Sequence, residues 1–213
     1  MYKMVNIVCV EGIVGCGKST LLKGLQTYGY KVLAEPLHEW MDVYRDNEGS
    51  ILEHFYRDPN RWAFTFQIMA LYTRSKAVKE AIEQCEQDGT QVLIIERSLL
   101  TTYQVFLKVL VQEGCINTIE SRLFRDIHES LLQGMLNLKY YTIHLKTHPD
   151  ICLERVQSRS RVGEQHITLD YLMKLYWRHN GWLNMLNHLE INGDDTEENV
   201  LIAALNYLRN MFE

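Results

Sequence analysis

Gly12-Ile13-Val14-Gly15-Cys16-Gly17-Lys18-Ser19, set between the apolar run Val5–Val10 and the leucines 21, 22 and 25, is the stretch on which the fold turns. It fits the pattern G-x-x-x-x-G-K-[ST]. The run before it reads as a buried strand, and the stretch from Lys18 onward reads as the start of a helix. A glycine-rich turn between the two lets successive backbone N–H groups face one anionic ligand, backed by the positive end of the helix dipole. In this pattern Lys18 reaches the β- and γ-phosphates of a nucleotide, and the Ser19 hydroxyl holds Mg²⁺. Gly12 through Ser19, with Thr20, is therefore the expected ATP-binding stretch. The amides around Cys16 would also lower its thiol pKa and make it reactive. The loop identifies a phosphate donor but not the acceptor.

Outward from the loop, short apolar runs alternate with helical periodicity. Strands are expected at Val5–Val10, Lys31–Glu35, Gln91–Glu96, Lys139–Leu145 and Leu189–Asn192. Helical stretches are expected at 18–27, 62–87, 98–133 (broken near Gly114), 149–158, 168–186 and 196–212. The run Val92-Leu93-Ile94-Ile95 is apolar throughout, as a parallel strand covered on both faces requires. This alternation implies an α/β fold with a doubly wound, five-stranded parallel sheet flanked by helices. Ligands in such sheets sit beyond the carboxyl ends of the strands. With no repeats, linkers or low-complexity runs, residues 1–213 are expected to form one domain.

Composition removes several function classes. A net charge of −5 over 213 residues disfavours a polyanionic partner such as nucleic acid. The five cysteines are spread along the chain without a C-x-x-C pair, which fits a reducing compartment and argues against disulfides or a zinc site. His144 and His148 are four apart, but the first falls in an expected strand and Pro149 follows the second, so both read as structural histidines. No apolar stretch is long enough to span a membrane. The first strand begins almost at once, so no leader is expected and the location is expected to be cytoplasmic.

Chemically useful side chains gather at the strand ends. Glu35, before Pro36 and near Trp40, stands where a carboxylate could take a proton from an attacking hydroxyl; a solvated loop acid is the equal alternative. Glu96-Arg97-Ser98 follows the third strand, where phosphate-loop proteins keep an acidic Mg²⁺ contact, and Arg97 is a fixed cation beside it. Gln67, Ala70 and Arg74 share one helix face, and a carboxamide can make two hydrogen bonds to a nucleobase edge. By itself, a Gln beside Phe64 and Phe66 is more often a capped core residue than a reader of bases. Arg155, Arg159 and Arg161 end a helix before the turn-prone Val162-Gly163-Glu164.

Taken in order, these pieces resemble the deoxyribonucleoside kinase family, which includes deoxycytidine, deoxyguanosine and mitochondrial thymidine kinases. The resemblance runs through Glu11–Thr20, Glu35-Pro36 with Trp40, Tyr56, Arg61-Trp62 with Thr65-Phe66-Gln67, Glu96-Arg97-Ser98, and the arginine segment with Glu164. It implies a P-loop NTPase-type fold with an arginine lid at about 155–166. Glu35 would be the general base on the sugar 5′-hydroxyl, with Arg97 and Lys18 completing the catalytic set. Tyr56 and Glu164 would grip the 3′-hydroxyl. Gln67 would read the base in a slot lined by Trp40, Phe66, Ala70 and Phe106. Arg155, Arg159 and Arg161 would cover the ATP, and Ser19 with Glu96 would arrange Mg²⁺. A homodimer packed through the helices after the third strand is implied as well.

One departure concerns the base. Relatives that prefer cytosine pair an arginine like Arg74 with an aspartate; here that second position is Thr102. Without an acid to hold it, Arg74 is expected to favour a base edge with an acceptor, so thymidine should serve at least as well as deoxycytidine. Two other functions compete. A thymidylate-type nucleoside monophosphate kinase shares the loop and lid but needs cations, not a carboxylate base, at its acceptor. A catalytically silent nucleotide-binding subunit would have no need of Glu35 and Arg97.

Overall fold

In a computed structural model, which describes residues 5–135 and 138–212, strand β1 (Asn6–Glu11) forms the middle of a parallel sheet. It delivers the phosphate loop to helix α1 (Lys18–Thr27). Strand β2 (Lys31–Leu33) follows, then a two-residue hairpin of β3 (Arg45–Asp46) and β4 (Gly49–Ser50). Helices α2 (Ile51–Arg57) and α3 (Pro59–Asp88) lead to β5 (Val92–Glu96). Next come α4 (Leu99–Thr101), a wide π-turn over Thr102–Leu107, α5 (Lys108–Gln112) and α6 (Thr118–Leu132). The chain closes with β6 (Lys139–Lys146), α7 (Pro149–Arg159), α8 (Leu169–Leu183), β7 (Leu189–Asn192) and α9 (Glu197–Phe212).

The strand order is β2-β5-β1-β6-β7, all parallel. Winding reverses at β1, so the phosphate loop leaves the sheet at the topological switch point, where a crevice opens. Period-two alternation sorts the strand residues onto two faces. Val8, Val10, Ile94 and Ile143 pack with Leu22 and Leu25 of α1 and with Leu172, Leu175 and Leu183 of α8. Ile7, Cys9, Leu93 and Ile95 pack with Val78, Ala81 and Ile82 of α3. A third apolar cluster, including Trp40, Phe55, Phe66 and Phe124, lies among α2, α3 and α6.

All five expected strands are present, with three adjustments to the expected elements. First, β2 stops at Leu33, because the chain turns and the Glu35 carbonyl accepts from the Leu37 amide at 2.8 Å. Glu35 therefore sits past the strand, in the mouth of the crevice. Second, the long helix begins at Pro59 and not Trp62: Asp58 caps it by accepting from the Arg61 amide, and the proline fills a position whose N–H is not needed. Ahead of it, α2 and the β3–β4 hairpin have no counterpart among the expected elements; a capping box between Ser50 and Glu53 starts α2. Third, the stretch 98–133 breaks at Gly114 as expected, with a φ of 76°, but it is also loosened by the unforeseen π-turn. No helix among the described residues is long and apolar enough to cross a membrane. Every cysteine is a free thiol.

Candidate active site

A cleft of about 820 Å³ opens at the carboxyl ends of the strands, with the phosphate loop at one end and α2 and α3 at the other. The loop's shape requires glycine. Gly12 has a φ of 147°, and a β-carbon placed there would lie 2.6 Å from Cys16 Sγ and from the Leu145 carbonyl oxygen. At Gly15, with a φ of 84°, a β-carbon would strike the Cys152 carbonyl. Val14 through Thr20 line the cleft. Gly12 and Ile13 do not; they serve through their carbonyls, Gly12 accepting from Arg97 Nε at 3.1 Å and Ile13 from Lys18 Nζ at 2.9 Å. Cys16 is 1 % exposed and packs in the core, which counts against the expectation of a reactive thiol.

Lys18 Nζ also stands 3.8 Å from Glu96 Oε1. The Ser19 hydroxyl lies 3.4 and 3.3 Å from the two oxygens of the same carboxylate. A hydroxyl and a carboxylate brought together beside the loop are hard oxygen donors, the kind that bind Mg²⁺ along with phosphate oxygens and water. The chemistry of the pair fits that ion.

Opposite the loop, Glu35 Oε1 accepts from Arg97 Nη1 at 2.6 Å and lies 3.6 Å from Arg74 Nη1. Burial alone would raise the Glu35 pKa; the charges of Arg97, then Arg74, then Lys18 overcome it and hold the carboxyl at about 2. Arg97 sits in the left-handed region at φ 60°, unusual for a residue with a β-carbon. The cause is visible on both sides: its amide bonds the Val10 carbonyl, and the next amide, of Ser98, bonds Glu11 Oε1 at 2.8 Å. Glu11 is fully buried, and the Thr101 hydroxyl lies 2.7 Å from each of its oxygens and donates its one proton to the carboxylate. Burial opposes its ionisation, but the His179 ring at 3.7 Å and the Thr101 and Ser98 bonds bring its pKa down to about 2. Glu11, just ahead of the loop, was not among the expected site residues; its place directly before Gly12 was the only sign of it.

Gln67, Ala70 and Arg74 line the cleft from α3, on one face as their spacing predicts. Among the described residues, no hydrogen bond reaches the Gln67 carboxamide, so it is not a capped core group. Phe66 stacks on Phe55 at 4.6 Å and meets Trp40 edge-on at 5.6 Å, while the Trp40 indole N–H is fixed by Thr73. Phe106 lies across the cleft with the Arg97 guanidinium 5.2 Å above its ring. Leu52, Phe55 and Tyr171 complete the apolar walls; their apolar character read in sequence as ordinary core.

Arg74 corrects one expectation. It does not lack an acid: Glu35 stands 3.6 Å away, Nη2 donates to the carbonyls of Glu96, Arg97 and Ser98, and Nη1 reaches the Thr102 hydroxyl at 3.4 Å. The acid that restrains it comes from a part of the chain far away in sequence.

Tyr56 and Glu164 share the cleft near Glu35, and burial followed by the Glu164 charge pushes the Tyr56 phenol up. Glu164 is 4 % exposed and carries the lid arginines: Arg159 donates to both its oxygens at 2.7 Å, and Arg161 to Oε1 at 2.9 Å. Arg155 instead bonds the Cys16 and Gly193 carbonyls at 3.3 and 3.1 Å, bracing the phosphate loop.

Comparison with known proteins agrees with this arrangement. Residues 8–209 match the family described as deoxynucleoside kinase. The chain is 35 % identical over 194 residues to the probable deoxycytidine kinase of fowlpox virus (strain NVSL), covering 88 % of this chain and 78 % of that one. It is 32 % identical to deoxycytidine kinase 2 of Gallus gallus, covering 85 % of this chain and 75 % of the relative. With the deoxycytidine kinase of Homo sapiens it shares 30 % identity, covering 90 % and 80 %.

Proposed function

The chain belongs to the deoxynucleoside kinase family, and on that premise we propose that it moves the γ-phosphoryl group of ATP to the 5′-hydroxyl of a pyrimidine deoxynucleoside. The observation that carries this reading is the Glu35–Arg97 pair, held in the mouth of the cleft facing the phosphate loop. Such a reaction has little covalent work for the protein to do, and its rate comes from positioning and from matching charge. Glu35, ionised throughout the working pH range, accepts the 5′-hydroxyl proton in a hydrogen bond and aims the oxygen at phosphorus. It takes that proton as the new P–O bond forms and the hydroxyl becomes strongly acidic. Arg97 and Lys18 face the developing charge from the acceptor and donor sides. Ser19 and Glu96 would hold Mg²⁺, which would supply positive charge against the phosphates.

In the acceptor half, Tyr56 and Glu164 bind the sugar 3′-hydroxyl, and Gln67 bonds the base between Phe66 and Phe106. At the base's far edge the Thr102 hydroxyl accepts from Arg74 and keeps its own proton to donate. It can give that proton to the thymine 4-keto oxygen or use its second lone pair on the cytosine amino group. Both pyrimidines are therefore substrates, with less than about tenfold discrimination, on the order of one hydrogen-bond difference. The work of the protein is then nucleotide salvage in the cytoplasm, by a single domain. The homodimer pairs through the helices after β5, where Ile119 and Leu123 of α6 are exposed; light scattering tests that part. A competition assay with the four deoxynucleosides and ATP tests the rest. Phosphorylation of deoxycytidine and thymidine is expected, and a lower KM for a pyrimidine monophosphate than for either nucleoside overturns the reading.

A further inference from the structure

Away from the cleft, β6 and β7 carry a cluster with no part in the proposed reaction. Their parallel register sets His144 directly opposite Glu190. His188 lies two residues before Glu190, which by strand alternation puts it on the same face. One ring nitrogen from each histidine and one Glu190 oxygen all lie within 4.8 Å of one another. The His144 Nδ1 to Glu190 Oε2 distance is 3.8 Å, and the two imidazoles meet at 5.8 Å between centroids with their planes 63° apart. In sequence, His144 has His148 four residues on, and both read as structural histidines. The fold sends His148 outward, where it pairs with Asp150 at 2.9 Å.

We propose that His144, His188 and Glu190 form a binding site for a borderline divalent transition-metal ion, Zn²⁺ foremost. Two imidazoles and a carboxylate are a zinc-type donor set, and they leave a fourth position for water. Tetrahedral coordination at Zn–N and Zn–O lengths near 2.0–2.2 Å needs donor atoms about 3.3 Å apart, so side-chain rotation alone closes the site from its present spacing. Mg²⁺, which wants oxygen ligands and octahedral geometry, does not suit it. The outer shell is partly built already. His188 donates from Nδ1 to the Leu186 carbonyl at 3.0 Å, which fixes the tautomer and leaves the lone pair on Nε2. His144 is buried, 3 % exposed, and its ring packs parallel to that of His179 at 6.4 Å, which limits its orientations.

One group competes for the carboxylate. Lys146 Nζ lies 3.2 and 3.0 Å from the two oxygens of Glu190. Its side chain is 36 % exposed and flexible, so it can leave for solvent when a dication arrives. This competition gives the site a signature that a casual pair of surface histidines lacks: removing the lysine strengthens metal binding.

The test uses tag-free full-length protein, stripped with chelator and kept in excess Mg²⁺. Zn²⁺ binding is followed by calorimetry, and Co²⁺ binding by visible absorption. The intact protein is expected to bind one equivalent that His188→Ala and Glu190→Gln each weaken at least tenfold, while Lys146→Met strengthens it. His188→Ala leaves metal-free kinase activity unchanged, which verifies its fold. Zn²⁺ affinity in His188→Ala equal to that of the intact protein overturns the proposal, as does Lys146→Met with no gain.

Discussion

Arg97 Nη1 and Glu35 Oε1 stand 2.6 Å apart across the mouth of the cleft, joining the turn after β5 to the loop after β2. In the proposed reaction this bond aims the carboxylate at the acceptor hydroxyl. Glu35→Gln keeps the shape and loses the proton acceptor, so kcat should fall about 10²- to 10⁴-fold with little change in deoxynucleoside KM. Steady-state kinetics decide it; a variant within threefold of the parent would remove Glu35 from the chemistry.

The same pair sets the pH response. Burial raises the Glu35 pKa, but Arg97 first and Arg74 second hold it at about 2. A depressed carboxylate stays ionised as pH falls until its own low pKa is reached, so kcat/KM should show no Glu35 limb above about pH 4. Arg97→Met removes the chief lowering charge. Its remaining activity should then fall with acidification at a pH well above the parent's; pH profiles of the two proteins with the same acid limb are the contrary result.

Glu11 predicts a linkage of stability to pH. Its folded pKa is about 2, against about 4.5 when unfolded, so its contribution is present above pH 4.5 and is lost as pH drops toward 2. By that shift Glu11→Gln costs on the order of 3 kcal/mol at neutral pH. Urea unfolding at pH 7, 4 and 3 should find the gap between parent and variant narrowing with acid; a gap of constant size is the contrary result.

Base choice should move with residue 102. Thr102→Asp places a carboxylate beside Arg74 Nη1, now 3.4 Å from the threonine hydroxyl. An ionised acid only accepts, which suits the cytosine amino group and repels the thymine keto oxygen. The ratio of kcat/KM for deoxycytidine over thymidine is expected to rise at least tenfold, and an unchanged ratio would place the base edge elsewhere.

Much of this architecture is legible in one dimension because it rests on local signals. The five strands show as apolar runs, and the phosphate loop shows as glycines at fixed spacing, since only glycine tolerates the φ values and close approaches at Gly12 and Gly15. Helix α2 stayed hidden because it is seven residues long, too short for periodicity to register. What the sequence could not carry is contact between distant side chains. Arg74 seemed to lack an acid because Glu35 lies 39 positions earlier in the chain. Glu11 stands in sequence only as the residue ahead of the loop, and its partners come from the distant turn at Ser98–Thr101. His144 gave no hint of its neighbours, since the pairing of β6 with β7 supplies them.

Glu164 leaves one consequence. It grips Arg159 and Arg161 together, yet in the proposed complex it also serves the sugar, while the two guanidiniums serve the triphosphate. A deoxynucleoside that claims part of this carboxylate loosens the arginines toward ATP. ATP that draws the arginines away leaves the carboxylate wanting a new donor. Each substrate therefore prepares the site of the other, and thermodynamic reciprocity makes the two effects equal in size. Acceptor Kd measured with and without a non-hydrolysable ATP analogue should change by the same factor as analogue Kd with and without acceptor, and Glu164→Gln should shrink both. In the proposed reaction Glu164 and its two arginines would carry that communication between the sugar and the triphosphate.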